Sequence, residues 1–400
     1  MNYDIIIVGG GPTGLAFAQL VANYKIKVLV IEKSSLENIK NPKVDGREIA
    51  LTHSSVEILK KINAWENIPQ EHISFIEKAH VLNGNSPETL IFDAKKEKIK
   101  NLGYLIPNYL IRQGIYNSIK NNVNITIKTE CEVQIIKSEN NKKTVILNNG
   151  DKYSSSLLIG ADSRFSETRK QMGISAKMQD FAKTMLVCEM KHNIPHQQIA
   201  SEYFFYEQII AILPMPENHS SVVITLKNDE AKQVLKMSDT QFNNYVEESL
   251  NNNLGEMKLI GKIHSYPLIG VYADTFIKER FALIGDAAVG MHPVTAHGFN
   301  LGLRGSDILG KAIIKASRRN QDIGSDFVLK EYQNKYRLIS KIMFSGTNSL
   351  VSLFSQATPK IKLLRKLVIK ASIKVPLVNK LISAHLTEKY RKQRNLLPFL

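Results

Sequence analysis

Residues 281–305 read FALIGDAAVGMHPVTAHGFNLGLRG, a stretch with no obvious nucleophile, no paired carboxylates and no convincing metal cluster. An apolar run from Phe281 to Ile284 ends in Gly285-Asp286, and glycine-spaced residues then lead into a helical pattern from Gly298 onward. Such a layout offers backbone N–H groups and one carboxylate in place of reactive side chains. It suits a large ligand that brings its own chemistry.

A second stretch of this kind opens the chain, YDIIIVGGGPTGLAFAQLVANYKIKVLVIEK. The β-branched run Ile5 to Val8 passes into a glycine turn, a helical segment and a second run, Val28 to Ile31, which is the pattern of a βαβ unit. Gly9, Gly11 and Gly14 sit directly after the strand and open the helix, and Glu32 closes the second strand, so the dinucleotide fingerprint stands in its required context. Gly9 permits the sharp turn, Gly11 lets backbone approach a pyrophosphate, and Gly14 allows close helix-to-strand packing. The helix amino end favours phosphate charge. Glu32 is placed to accept hydrogen bonds from ribose hydroxyls. An ordinary tight turn would leave that acid unexplained.

The elements that position these groups follow from the rest of the pattern. VDGREIALTHSSVEILKKINAW places Arg47 ahead of an amphipathic helix with Val56, Leu59 and Ile62 at helical spacing. From this stretch alone Arg47 reads either as a solvated charge or as a cofactor contact. Arg112 begins a helix in NYLIRQGIYNSI. Short alternating runs around Asn149-Gly150 predict a hairpin, followed by an apolar strand that runs into Gly160-Ala161-Asp162. From Phe181 to Tyr272 the texture changes to alternating runs that predict antiparallel strands with one buried face. After Gly298 the chain reads as largely helical.

Four hundred residues exceed what one core supports, so two domains or one domain with a large insertion are expected. Two thiols, Cys131 and Cys188, build no bridge framework, and no secretory signal precedes the first strand, so a reducing cytoplasmic setting is expected. The formal charge is +16, but residues 359–400 hold eleven Lys or Arg against one acid, a net +10. The body is therefore close to balanced, which argues against a nucleic-acid-binding surface and for a local electrostatic attachment. From Lys360 to Leu386, Leu364, Val368, Ala371, Val375, Val378 and Ile382 recur at steps of three and four beside a lysine stripe. This predicts either an interfacial helix on an anionic membrane or a helix packed on the body.

Three separated segments, Gly9 to Glu32, Gly160 to Arg169 and Gly285 to Gly302, together resemble the single-component flavin-dependent aromatic hydroxylases. The likeness is closer to the ubiquinone-biosynthesis hydroxylases within that group, and it runs from Asp4 to about Ala316. It implies an α/β fold: a Rossmann-like FAD-binding domain from residues 1–72, 100–180 and 273–325, a β-rich substrate domain from 73–99 and 181–272, and a helical basic region, 326–400. It implies FAD held by Gly9, Gly11, Gly14, Glu32, Arg47, Arg112, Asp162, Gly285, Asp286, Pro293, Gly298 and Asn300. Asp286 would bond the ribityl chain, and Pro293, His297 and Gly298 would lie at the flavin edge, with no metal and no certain catalytic side chain.

By this resemblance reduced flavin reacts with O₂ to give a C4a-hydroperoxide that hydroxylates a polyprenylated phenol or quinol, demethoxyubiquinol being one candidate. No second G-x-G-x-x-G follows, so NAD(P)H would visit transiently as electron donor. A flavin-linked reductase of a polyprenyl substrate, or a non-catalytic flavoprotein component of a membrane assembly, would use the same cradle. Attachment to the inner membrane from the cytoplasmic side, and a complex with other quinone-biosynthesis proteins, complete the expected setting.

The chain departs from the family at Ser163, where glycine is usual, at Val289, at the loop Thr295-Ala296-His297-Gly298, and at Gly305. These positions bear on substrate contact and proton handling. His297 replaces a family glutamine and reads as a neutral side chain, with a catalytic reading kept beside it. His292 reads as a packing residue beside Pro293.

Overall fold

The computed structural model describes residues 2–84, 89–205, 208–292 and 297–355. Its first sheet has eight strands. The path runs Ile277–Lys278, Phe281–Leu283, Lys152–Gly160, Asn2–Val8, Val28–Ile31 and Ile125–Lys128, with Lys142–Leu147 and Val133–Glu139 joined to Lys152–Gly160 as antiparallel additions. Strands from Phe281–Leu283 to Ile125–Lys128 pair in parallel. The run Ile5 to Val8 is buried throughout, as expected of a parallel strand covered on both faces.

Hairpin turns fall where the asparagines stand. Asn140 and Asn141 adopt φ of 50° and 59°, and Gly150 adopts 87°, the left-handed backbone that Asn and Gly tolerate in tight turns.

A second eight-stranded sheet runs Val289–Gly290, Met257–Ala273, Ala176–His192, His219–Lys227, Ile209–Pro214, Ile199–Phe204, Lys78–Asn83 and Thr89–Asp93. Residues 78–93 thus join a sheet otherwise built a hundred residues later, through parallel pairing of Lys78–Asn83 with Ile199–Phe204. Ala176–His192 continues through the change of texture near Phe181, where its pairing with Met257–Ala273 shifts register between Asp180 and Thr184. One face of this sheet is covered by the helices Asn228–Val234 and Asp239–Ser249, with Leu186, Cys188, Val222, Ile224, Phe242 and Val246 in the core between them.

Glu48–Leu51, Gly103–Pro107 and Ser74–Ile76 form a small third sheet. Two long helices, Gly298–Ser317 and Asp326–Ser355, follow. The buried Tyr332 donates its hydroxyl to the Leu283 carbonyl at 2.7 Å and ties the second helix to the first sheet. The basic segment 360–386 lies outside the described residues, among which no helix is long and apolar enough to cross a membrane. Among the described residues no group of three or more His, Cys, Asp or Glu could hold a metal ion.

Candidate functional site

Gly9 sits at the carboxyl end of the first strand with φ +112°, and a Cβ there would lie 2.4 Å from the Ala161 carbonyl oxygen. The turn after Lys152–Gly160 therefore closes directly over the first glycine. A Cβ on Gly14 would lie 2.2 Å from the Gly9 oxygen. Gly11 differs: a Cβ would meet nothing within 4 Å, and Gly11 is the N-cap of the helix Pro12–Ala22 with no side-chain cap. Open space thus faces the amino end of a helix, where N–H groups await partners.

Glu32 accepts from the Gly10 N–H at 2.6 Å with one oxygen, and from the Ser34 N–H at 2.8 Å and the Ser34 hydroxyl with the other. The acid expected at a ribose is also the clasp that holds the second strand to the glycine turn. The oxygen facing Gly10 keeps a further lone pair for a ligand hydroxyl.

Asp162 turns into its own loop, accepting from the Ser166 hydroxyl at 2.5 Å and the Thr168 N–H at 2.9 Å. The side chain that reaches outward from this loop is Arg164. Its Nη2 lies 2.9 Å from Asp286 Oδ2 and its Nη1 donates to the Ile269 carbonyl at 3.0 Å. Sequence reasoning missed this residue; a cation two positions after Gly160-Ala161-Asp162 was the available signal. Gly285, at φ +59°, and Gly302 both pack against Thr13 of the first helix. Three segments distant in sequence therefore converge at the carboxyl ends of parallel strands, the usual ligand position in open α/β sheets.

The helix Gly298–Ser317 starts beside this point. A Cβ on Gly298 would meet nothing within 4 Å among the described residues. His297 precedes the helix and is buried. Asn300 is also buried: its Nδ2 donates to the Ala50 carbonyl at 2.8 Å and its Oδ1 accepts from the Thr52 N–H at 3.1 Å. Its amide fastens the strand Glu48–Leu51 to the helix start. His292 packs edge-on against Phe181 with ring centroids 4.8 Å apart, and burial, then the nearby Lys183, push its pKa down to about 4. It is neutral at physiological pH. Pro293 lies outside the described residues.

Arg47 pairs with Asp45 at 2.5 Å and lies over the Tyr266 ring at 5.2 Å from its centroid. Arg112, on the helix Asn108–Ile119, is half-buried and makes no hydrogen bond or ion pair with the described residues. Burial lowers its pKa, while Asp45 and Glu32 act in the opposite sense. An unpaired, partly desolvated guanidinium is a ready partner for an anion.

The second sheet closes the space from above. Tyr266 donates its hydroxyl to the Asp45 carbonyl at 2.6 Å, and Gly46 abuts His264 so closely that a Cβ would lie 2.5 Å from the ring. Glu48, on the strand below, has its pKa raised to about 9 by burial, then by Glu189 and Asp45. Glu189 pairs with His219 at 2.5 Å.

The fit to FAD is direct. Two glycine openings without side chains, two helix amino ends, an unpaired arginine and a carboxylate line one groove. Residues 2–345 match the FAD binding domain family, and the chain belongs to that family. It is 45% identical over 391 residues, 97% of this chain and 85% of the relative, to ubiquinone hydroxylase UbiM of Neisseria meningitidis. It is 30% identical to ubiquinone hydroxylase UbiL of Rhodospirillum rubrum, over 96% of this chain and 89% of that one. The 3-demethoxyubiquinol 3-hydroxylase of Escherichia coli is 26% identical, over 92% of this chain and 94% of that one. Among solved structures, p-nitrophenol 4-monooxygenase PnpA of Pseudomonas putida superposes with a TM-score of 0.77 at 16% identity, covering 96% of this chain and 98% of that one. That likeness concerns the fold.

Proposed function

We propose that the protein is an FAD-dependent monooxygenase that hydroxylates the aromatic ring of a polyprenylated phenol or quinol intermediate of ubiquinone biosynthesis, demethoxyubiquinol being one candidate. The observation that carries this reading is the 45% identity, over nearly the whole chain, to a relative named ubiquinone hydroxylase. The converged glycine groove supports it. In the overall reaction an aromatic C–H, O₂, NAD(P)H and a proton become C–OH, water and NAD(P)⁺. Bound FAD supplies the redox and oxygen chemistry.

The chain's own residues bind and orient. The open space at Gly11 and the helix behind it take the pyrophosphate, and Arg112 neutralises charge there. Glu32 accepts the adenosine ribose hydroxyls. Asp286, held by Arg164, accepts from the ribityl chain. The helix beginning at Gly298 would offer its amino-terminal N–H groups to the flavin ring and favour negative charge on it. Gly9, Gly14, Gly285 and the Asp162 turn shape the groove, and Asn300 holds the adjoining strand. His297 completes the flavin edge in this reading. The sheet above excludes water from the ring-binding space.

Oxygen-isotope labelling tests the reaction: one atom from ¹⁸O₂ is expected in the product, and product free of label would point to a reductase. The quinone intermediate that accumulates in a strain lacking the gene names the ring position.

The net +10 of residues 359–400 supports peripheral, salt-sensitive attachment to an anionic membrane, the place where a long prenyl tail is delivered. Flotation with anionic liposomes is expected to carry the full chain but not a chain ending at Thr358. Equal flotation of both, or of neither at low salt, rejects this.

A further inference from the structure

We propose that Glu202 recognises an oxygen substituent on the aromatic ring of the substrate, from the roof of a cleft whose floor is the strand Glu48–Leu51. The assignment rests on the substrate class given above.

Strand parity defines the roof. Leu186, Cys188, Ile210, Ile212, Val222 and Ile224 belong to the core beneath the covering helices. Alternation turns the intervening residues to the other face. There Met185, Val187 and Leu268 form a separate apolar cluster, with Val223 packed against it. Tyr203 belongs to the helix side, so its neighbour Glu202 faces the cleft with them. In register, Glu202 stands opposite Ala211, Ala211 opposite Val223, and Val223 opposite Val187. On its other side Glu202 pairs with Val81. An acid therefore occupies one place in a row that is otherwise apolar from Val81 to Val187 and ends at His264.

This face meets the floor at both ends. At one, Tyr266 bonds to Asp45 and His264 abuts Gly46. At the other, Val81 and Ala200 pack against the same cluster as Ala50, whose carbonyl is bonded by Asn300 at the start of the long helix. Between them the roof spans four strand spacings, about 19 Å, ample for a substituted ring.

Glu202 makes no hydrogen bond or ion pair with the described residues. It keeps some accessible surface although protein surrounds it, the combination expected of a group lining an internal cleft. Burial raises its carboxyl to about 8, so at neutral pH it is protonated and can both donate and accept. A buried polar group without a partner is costly, and a ligand oxygen removes that cost while prenyl and methyl groups match the surrounding valines and methionine.

The test compares binding of 2-geranylphenol and geranylbenzene, which differ by one hydroxyl, to the FAD-loaded full chain, read from perturbation of the flavin absorbance. The wild type is expected to prefer the phenol. Glu202→Leu is expected to weaken 2-geranylphenol binding about tenfold, leave geranylbenzene unchanged and retain full FAD content. Glu202→Gln, which keeps a donor and an acceptor, is expected to retain most of the preference. A Glu202→Leu protein that still prefers the phenol as strongly as the wild type, or that loses both ligands equally, overturns the assignment of Glu202 alone. A wild type that holds FAD and binds neither compound overturns the substrate reading as well.

Discussion

Arg164 and Asp286 are 122 positions apart in sequence, and their side chains meet at 2.9 Å across the groove. The pair joins the turn after the strand Lys152–Gly160 to the turn after Phe281–Leu283, and it orients one oxygen of the carboxylate while the other accepts no hydrogen bond from the described residues. Asp286→Ala should raise the FAD dissociation constant tenfold or more, since a charge-assisted hydrogen bond contributes on the order of 1.5–3 kcal/mol. Titration of apoprotein with FAD, followed by flavin fluorescence, measures this. Unchanged affinity and a full complement of FAD would show that Asp286 is not a ligand.

Gly9 and Gly11 should respond differently to the same added methyl group. At Gly9 the Cβ strikes backbone at 2.4 Å and the φ of +112° is strained for alanine, so Gly9→Ala should lower the melting temperature of the apoprotein. At Gly11 the Cβ enters open space, so Gly11→Ala should leave the apoprotein melt within about 0.5 kcal/mol of the wild type while weakening FAD at least tenfold. Equal effects of the two changes on apoprotein stability would contradict the idea that the Gly11 opening is reserved for a ligand.

Arg112 is half-buried and makes no hydrogen bond or ion pair with the described residues, so its charge is expected to serve binding more than folding. Arg112→Met should leave the apoprotein as stable or slightly more so, because a desolvated cation is replaced by an apolar chain. FAD affinity should fall by about tenfold, and the salt dependence of binding should flatten. Calorimetry of the apoprotein beside FAD titrations at two ionic strengths separates the two effects.

Glu48 makes stability depend on pH. In the folded protein its carboxyl stays protonated up to about 9, against the ordinary value of 4.5, so the folded state holds an extra proton between those limits. Its contribution to stability is full below 4.5 and is lost as pH rises towards 9. Glu48→Gln removes that loss. Thermal melts should show the variant close to the wild type near pH 5 and more stable at pH 8, by up to about 4 kcal/mol. A difference that does not grow with pH would place Glu48 in contact with bulk water.

The groups legible from sequence are those whose function depends on local backbone. Gly9, Gly11 and Gly14 must follow a strand and open a helix within a few residues, and Glu32 lies at the end of the very next strand, so one βαβ unit defines them. Gly285-Asp286 is readable for the same reason, as an apolar strand ending in a glycine turn. Asp162 marks where the analogy with such motifs is misleading: its position beside the groove was legible, but its carboxylate caps its own loop, and the neighbouring Arg164 reaches across. Asn300 likewise sits at the expected helix start while its amide bonds a strand 250 positions away. Burial of Glu48 and Glu202 could not be read from their neighbours in the chain, because it depends on which strands pair. Residues 78–83 complete a sheet with 199–204, and a shift of one residue in that register would turn Glu202 to the opposite face. Sequence thus determined the cofactor turns, whose geometry is local. Tertiary structure alone decided where the side chains of Asp162, Arg164, Asn300, Glu48 and Glu202 turn, because that choice is made by pairing and packing between distant segments.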